Sequence, residues 1–491
     1  MDMIASFLFF LMCFLGIGIL SATRKQASTE DYLLAGRSVS PWLTALSAVS
    51  TNNSGFMFIG LIGATFTDGL SSMWLMVGWI SGDYVAWRWV FRRLRERSEQ
   101  LGVVSIPSFL GADIGRSRIR ENSGNLPDGD RTLTSSATRH RAVVVLAALI
   151  TIVFLGTYAA AQLTAGSKAL HVLFRWDYTV GTLIGAGIVA AYCFSGGIRA
   201  SIWTDAAQSV VMLVSMLVLL AVSLWTIGGL EALWNRLESI DSALIDWQPR
   251  DMRFGFGLYL IGWIVAGVGV LGQPHVMIRV MAIDSGEHIA QARRIYFTWY
   301  VAFAVAAILV GLCCRVLLPA GDAFDSELAL LRLSQQMLPG VLVGFILAGL
   351  FAATISTADS QILSCSAALT QDLFPHWGES YTHTKAGTLI ITGVVVGIVM
   401  LGNQSVFQLV VLSWSALASS LGPLLAVRSL GRPVTSRTGV AMMLSGLGAV
   451  LVWRFLLDLS GAIYEVLPGM ATGFAVYGLS RSRQPDGTRS D

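Results

Sequence analysis

The feature that most constrains this chain is the recurrence of apolar runs long enough to cross a bilayer. About thirteen can be marked, near 3–22, 43–64, 71–90, 142–163, 177–195, 206–228, 255–274, 295–317, 339–357, 386–402, 405–427, 438–456 and 464–480. In hydrocarbon every backbone amide needs a partner within the protein, so such runs fold as helices. The sequence lacks the short alternating strands of a membrane barrel. Composition agrees: 54% of the 491 residues are hydrophobic and 13% charged, against about 25% charged in a soluble domain. The expected fold class is an all-α polytopic membrane protein.

The net charge of +3 says little, but its distribution says more. With the N-terminus outside and the C-terminus inside, the cytoplasmic gaps and tail hold most of the 33 Lys and Arg, as the positive-inside tendency requires. The largest share lies between "RWVFRRLRERSEQ" and "SSATRHR". The first run, Met3 to Leu20, has no basic segment before it and is followed by Arg24 and Lys25, so it reads as a retained helix. The basic run Arg92–Arg97 reads as a topology determinant or an anionic-lipid contact. "NSGNLPDGDRTLTSS" reads as a flexible loop, and 481–491 as a disordered cytoplasmic tail. The five cysteines lack ligand-like spacing and read as packing residues. There is no P-loop, no soluble ATPase domain and no Ser-His-Asp set. An enzyme is not expected, and the energy source must be an ion gradient or nothing.

Three polar interruptions fall at membrane depth, where polar groups are costly and mark pathways. The first is "LSAVSTNNSGFMFIG", Leu46 to Gly60, in span two. Backbone that leaves the helix here frees carbonyl oxygens, which are hard neutral ligands suited to sodium. The alternative is a helix–helix contact glued by Ser and Asn, with Gly55 allowing close approach. The second is "GLFAATISTADSQILSCSAALTQDLF", Gly349 to Phe374. It carries the adjacent hydroxyls of Ser356 and Thr357, which either face a site or bond back to the preceding turn. The third is "GVGVLGQPHVMIRVMA", Gly267 to Ala282, where Pro274 interrupts span seven.

Paired broken helices in corresponding halves point to a transporter site. Spans two and seven are five apart, which suits inverted repeats over spans 2–6 (43–228) and 7–11 (255–427), with additional helices over 438–480. Asp205, in "SIWTDAAQS", reads either as an acid favoured by a helix N-terminus or as an attractor for sodium leaving toward the cytoplasm.

At these residues the chain resembles the solute:sodium symporter family, and most closely its sodium/proline branch. The resemblance rests on "DYLLAGRS", "YCFSGGIRASIWTDAAQ", "GQPHVMIRVMAIDS", "STADSQILSCSAALTQDLF" and "YEVLPGMATGF", in that order. It implies a LeuT-type inverted-repeat fold and co-transported sodium. It also implies sodium ligands at the carbonyls of Ser50, Asn53 and Ala353 and the hydroxyls of Ser356 and Thr357, with Asp205 on the exit path. The solute would lie between spans two and seven, at Asn52, Ser54, Gly55, Phe56, Ala266, Val270 and Pro274.

Two departures from the proline branch stand out. Asn52 occupies the place of an acid. Aromatic residues are absent at Ala266 and Val270, with Phe56 in place of a Trp, which should enlarge or reshape the pocket.

The expected function is sodium-coupled import, by alternating access, of a small organic solute: an amino acid such as proline, a related carboxylate or an osmolyte. A non-transporting membrane sensor and a proton-coupled carrier are the alternatives. Span two holds no buried acid to carry a proton. The expected partners are the solute, sodium and the lipid bilayer, with no nucleic acid. The expected location is the cell membrane, the inner one in a Gram-negative bacterium.

Overall fold

The computed structural model describes residues 2–23, 26–112, 140–250, 252–318, 325–402 and 405–482. Arg24, Lys25, the stretch 122–136 and residues 483–491 of the tail lie outside the described residues. Among those described, everything regular is helical apart from one isolated parallel bridge, Val39 to Ile283.

Span one is α1, Asp2–Ala22. Span two is broken: α2, Pro41–Asn52, is followed by a single turn, Gly55–Phe58, and then α3, Gly60–Asp68. Span three is α4, Met73–Trp89. Span four is α5, Arg141–Ile150, running through a π turn into α6, Gly156–Phe174. Spans five and six form one helical run, α7, Tyr178–Ile227, folded back at Gly197. That residue has φ 57° and lies against the backbone of Tyr32, so a side chain there would be strained and obstructed.

Span seven is α8, Gly255–Val268, then a 3₁₀ turn at Gly269–Gly272, then α9, Pro274–Ala282. The remaining spans are α10, Ile289–Leu317; α11, Gly340–Ala367; α12, Tyr381–Leu401; α13, Val406–Ser429; α14, Ser436–Leu451; and α15, Val466–Ser482.

Ten continuous segments among the described residues are long and apolar enough to cross a membrane. Two of them, Gly55–Trp89 and Tyr178–Ile227, each contain parts of two expected spans, while α15, at 17 residues, falls just short of the length required. The core lies around α11 and α13: 94% of the most apolar window of α13 is buried, against 17% for α1. Cys193, Cys313, Cys314 and Cys365 are buried, whereas Cys13 is exposed and does not pack in the interior.

Two contacts position the site. The first is between α4 and α8, whose backbones meet through glycines. A Cβ on Gly82 would sit 2.6 Å from the Val268 nitrogen, and one on Gly267 would sit 2.8 Å from the Asp83 nitrogen. The second pins the end of α9. Arg95, on the amphipathic helix Phe91–Gln100, donates to the carbonyls of Ile283 at 2.6 Å and Asp284 at 3.2 Å, and Arg37 donates to that of Met281 at 3.1 Å. Arg95 is thus buried against the end of span seven, while Arg92 in the same basic run is exposed.

Candidate functional site

The break in span two begins where α2 ends. Asn53 leaves the helix at φ −92°, ψ 71°, and Ser54 is extended. The Asn53 side chain turns back to donate to the Val49 carbonyl at 2.9 Å. Past the break, Gly55 N–H donates to Gln162 Oε1 at 2.9 Å, and Phe56 N–H donates to Ser54 Oγ at 3.2 Å. These amides are therefore engaged within the protein.

In span seven the break precedes the proline. Gln273 is the extended residue, and Pro274 is the first residue of α9. A helix needs no N–H at that position, so Pro274 starts the second half instead of freeing a carbonyl in the first.

Helix α11 crosses the span-two break. Ser356 Oγ lies 3.3 Å from both the Ser50 and the Ala353 carbonyl oxygens. Thr357 Oγ1 donates to the carbonyls of Thr51 and Ala353, each at 3.0 Å. All five of these residues are buried. Ser50, Ala353, Ser356 and Thr357 thus come together as a cluster of neutral oxygens, with Thr51 as a member the sequence reading passed over. Asn53 lies at the end of the same helical segment. The donor set is hard oxygen without formal charge, chemistry that suits a sodium ion taken up and released in every cycle. No group of three or more His, Cys, Asp or Glu able to hold a metal ion occurs among the described residues.

A second polar cluster adjoins the first. Thr51 Oγ1 lies 3.1 Å from Ser360 Oγ and 3.4 Å from Asp205 Oδ2. Asp205 accepts from Ser47 Oγ at 2.6 Å and from Arg279 Nη2 at 3.2 Å. Arg279 also donates to Ser201 Oγ at 2.7 Å and to Ser360 Oγ, and stands 3.8 Å from Asp359. Asp359 accepts from Tyr192 at 2.5 Å and Ser201 at 3.0 Å. All three charged side chains are buried, two acids against one base.

Asp205 therefore belongs to an interior ion network and is not an acid placed at a free helix start, since the fold-back at Gly197 is two turns behind it. Its Oδ1 makes no hydrogen bond. A cavity of ≈ 220 Å³, lined by Ser40, Leu43, Ile202 and Trp203 among others, lies on the Gly197 side of this network. Arg279 was legible as a charged residue within the third polar interruption.

A third cavity-facing group lies on the other side of the break. Asn52, Ser54 and Phe56 line a small cavity with Trp79, Tyr158, Tyr300 and Trp414. Ala266, Val270 and Pro274, expected at the solute, are not in its lining. The reason is packing: Trp414 Nε1 donates to the Ala266 carbonyl at 3.0 Å, and Gly267 lies backbone-to-backbone on α4. Gly55 is next to the cavity but not in its wall.

Rings reach the cavity from other helices, among them Trp79 on α4 and Trp414 on α13. Trp79 and Trp414 have centroids 4.8 Å apart, and Phe56 lies 6.0 Å from Trp79. An acid is supplied as well. Asp83, buried on α4, accepts from Tyr296 at 2.6 Å and lies 3.5 Å from Asn52 Nδ2. Span two has no acid, but span three places one beside Asn52. The signal was "SGDYVAW", one carboxylate inside an apolar run.

The family model for the sodium:solute symporter family matches residues 32–446. The chain belongs to the sodium:solute symporter family. This symporter is 29% identical over 467 residues to the high-affinity proline transporter PutP of Bacillus subtilis, covering 92% of each chain. It is 29% identical over 488 residues to a sodium/proline symporter of Staphylococcus aureus, covering 94% of this chain and 89% of the relative.

Among solved structures, it resembles a substrate-bound, outward-open sodium-coupled sialic acid symporter, with TM-score 0.75, 17% identity, and 97% and 98% coverage of the two chains. It also resembles Mhp1, a nucleobase-cation-symport-1 family transporter, with TM-score 0.53, 15% identity, and 92% and 95% coverage. At these identities the structures bear on fold alone, and that fold is the LeuT-type inverted repeat. The symporter is a multi-pass cell-membrane protein that moves a small solute together with sodium. Its family and relatives are transporters.

Proposed function

We propose that this symporter imports a small amino-acid-like solute, with sodium bound between α2 and α11 by the carbonyls of Ser50, Asn53 and Ala353 and the hydroxyls of Ser356 and Thr357. The observation that carries this reading is the convergence of neutral oxygens from the span-two break and α11. Repeats over 43–228 and 255–427 put the two broken spans in equivalent positions. The charge distribution supports an N-terminus outside, so the solute cavity at Asn52, Ser54 and Phe56 lies on the outer side and Asp205 on the inner side.

Sodium bridging α2 to α11 orders the break, and the break carries the solute-facing residues. The ion thereby favours a solute-competent state through differential binding. Inward of the ion, two acids against one arginine leave an excess of negative charge. The Oδ1 of Asp205, which makes no hydrogen bond, offers sodium its next ligand on the way to the cytoplasm. Rocking of the core then opens that side.

The driving force is adequate. A charge crossing ~100 mV gains about 2.3 kcal/mol, and a tenfold sodium gradient adds roughly 1.4 kcal/mol. One sodium ion can thus sustain roughly 500-fold accumulation of a neutral solute.

The test is uptake in proteoliposomes under an imposed sodium gradient, screening amino acids, carboxylates and osmolytes. Sodium-dependent accumulation is expected, with Ser356→Ala and Thr357→Ala shifting sodium activation to higher concentration. Uptake that persists without sodium and collapses with a proton gradient would instead identify a proton-coupled carrier. Sodium binding without accumulation of any solute would identify a sensor.

A further inference from the structure

Asn52 carries an amide whose two ends are chemically distinct, and its surroundings decide which end faces the cavity. Its Nδ2 lies 2.6 Å from Tyr296 Oη and 3.5 Å from Asp83 Oδ2. Tyr296 gives its own hydroxyl proton to Asp83 at 2.6 Å, so its oxygen is left to accept from Asn52. A carboxylate only accepts, which fixes the amide with NH₂ toward Asp83. Asn52 Oδ1 is then turned away from the acid and is buried without a hydrogen-bond partner, on a residue that lines the cavity. An unpartnered buried carbonyl is costly unless a ligand supplies the donor.

The rest of the cavity has matching chemistry. Its wall includes Phe56, Trp79, Tyr158, Tyr300 and Trp414, whose ring faces attract cations. No Lys, Arg or His is among the lining residues, so nothing there neutralises an anion. Beyond the wall on the Asn52 side stands the acid Asp83, 3.5 Å from Asn52 Nδ2 and with its Oδ1 also unpartnered.

We propose that Asp83 is a specificity-determining positioning residue: it holds Asn52 with the carbonyl toward the cavity, and the pair with the aromatic wall selects a solute bearing a protonated amine. The inference rests on the proposed function for the identity of the solute cavity. The amine N–H donates to Asn52 Oδ1, its charge lies against the rings, and Asp83 supplies the counter-charge from behind. A solute whose only charge is a carboxylate finds no counter-charge among these lining residues.

The test uses the purified full chain in detergent and its thermal midpoint, measured without sodium, with sodium chloride alone, and with sodium chloride plus each probe. Matched probes differ only at nitrogen: L-proline against cyclopentanecarboxylate, and 4-aminobutyrate against butyrate. Amine-bearing members are expected to raise the midpoint and their nitrogen-free counterparts to leave it unchanged. Asp83→Asn, which lets the Asn52 amide turn over, should weaken the apparent affinity for the amine roughly tenfold or more. Tyr296→Phe should do the same to a lesser degree.

A midpoint shift produced by sodium alone shows that each variant is folded and sodium-competent. Its absence from the wild type would count against the proposed function, independently of the solute result. Equal stabilisation by the nitrogen-free acids, no response to any amine, or an undiminished amine response in both Asp83→Asn and Tyr296→Phe would overturn the proposal.

Discussion

Two polar clusters meet at Thr51, and they are built on opposite plans. The first, Ser50, Ala353, Ser356 and Thr357, contains carbonyls and hydroxyls and no charge. The second, Asp205, Asp359 and Arg279, contains three formal charges with none exposed. Both are buried at similar depth in a protein meant for hydrocarbon, yet removing a group has different consequences in each. A neutral cluster loses a ligand and stays neutral. A charged cluster that loses its base is left with uncompensated acids, which is the more expensive failure. Function and stability should therefore separate across Thr51.

Four tests, using five substitutions, sharpen or break that separation. Arg279→Ala should have the largest effect: it strands two carboxylates and costs about 3–5 kcal/mol, read as a collapse of folded yield and thermal midpoint. A fully stable Arg279→Ala protein would abolish the distinction. Next, Ser356→Ala and Thr357→Ala should raise the sodium concentration for half-maximal uptake by roughly tenfold while the sodium-free midpoint barely moves. Unchanged sodium activation in both would remove the neutral cluster from the ion's path.

Asp205→Asn comes third. It leaves Arg279 with Asp359 and so should fold. Turnover should fall several-fold, with outside sodium affinity altered less, as measured by counterflow against equilibrium binding. The smallest effect is expected for Gln162→Ala, which removes the acceptor of the Gly55 N–H and should cost about 1–3 kcal/mol. A loss of sodium activation there as large as in Thr357→Ala would mean that the break and the ion site are one unit.

Much of this was legible in the sequence, for reasons that differ by residue. The helices follow from apolar run length, and the break at Asn53–Ser54 follows from consecutive polar residues in one run. Ser356 and Thr357 were visible as paired hydroxyls. Thr51 was not singled out because the partners of its carbonyl and hydroxyl, Thr357, Ser360 and Asp205, are distant in sequence. Asp83 stood in plain view as an acid in an apolar run, but its importance depends on Asn52 and Tyr296, which are distant in sequence. Ala266 and Val270 were placed at the solute by position along span seven. Side-chain direction is set by packing against α4 and α13, which no single-span pattern contains. The rings of Trp79 and Trp414 belong to other spans and converge only in three dimensions.

The glycine contact between α4 and α8 has a mechanical consequence. With Gly82 and Gly267 leaving no side-chain layer between the two backbones, the two helices should move as one body. Asp83 rides on one and the 3₁₀ turn at Gly269–Gly272 is continuous with the other. The groups that would read the solute and the joint that would flex when it is read are therefore yoked to a single lever. A bulkier residue at Gly82, even one that leaves every polar contact intact, would change the stroke of that lever and not its grip.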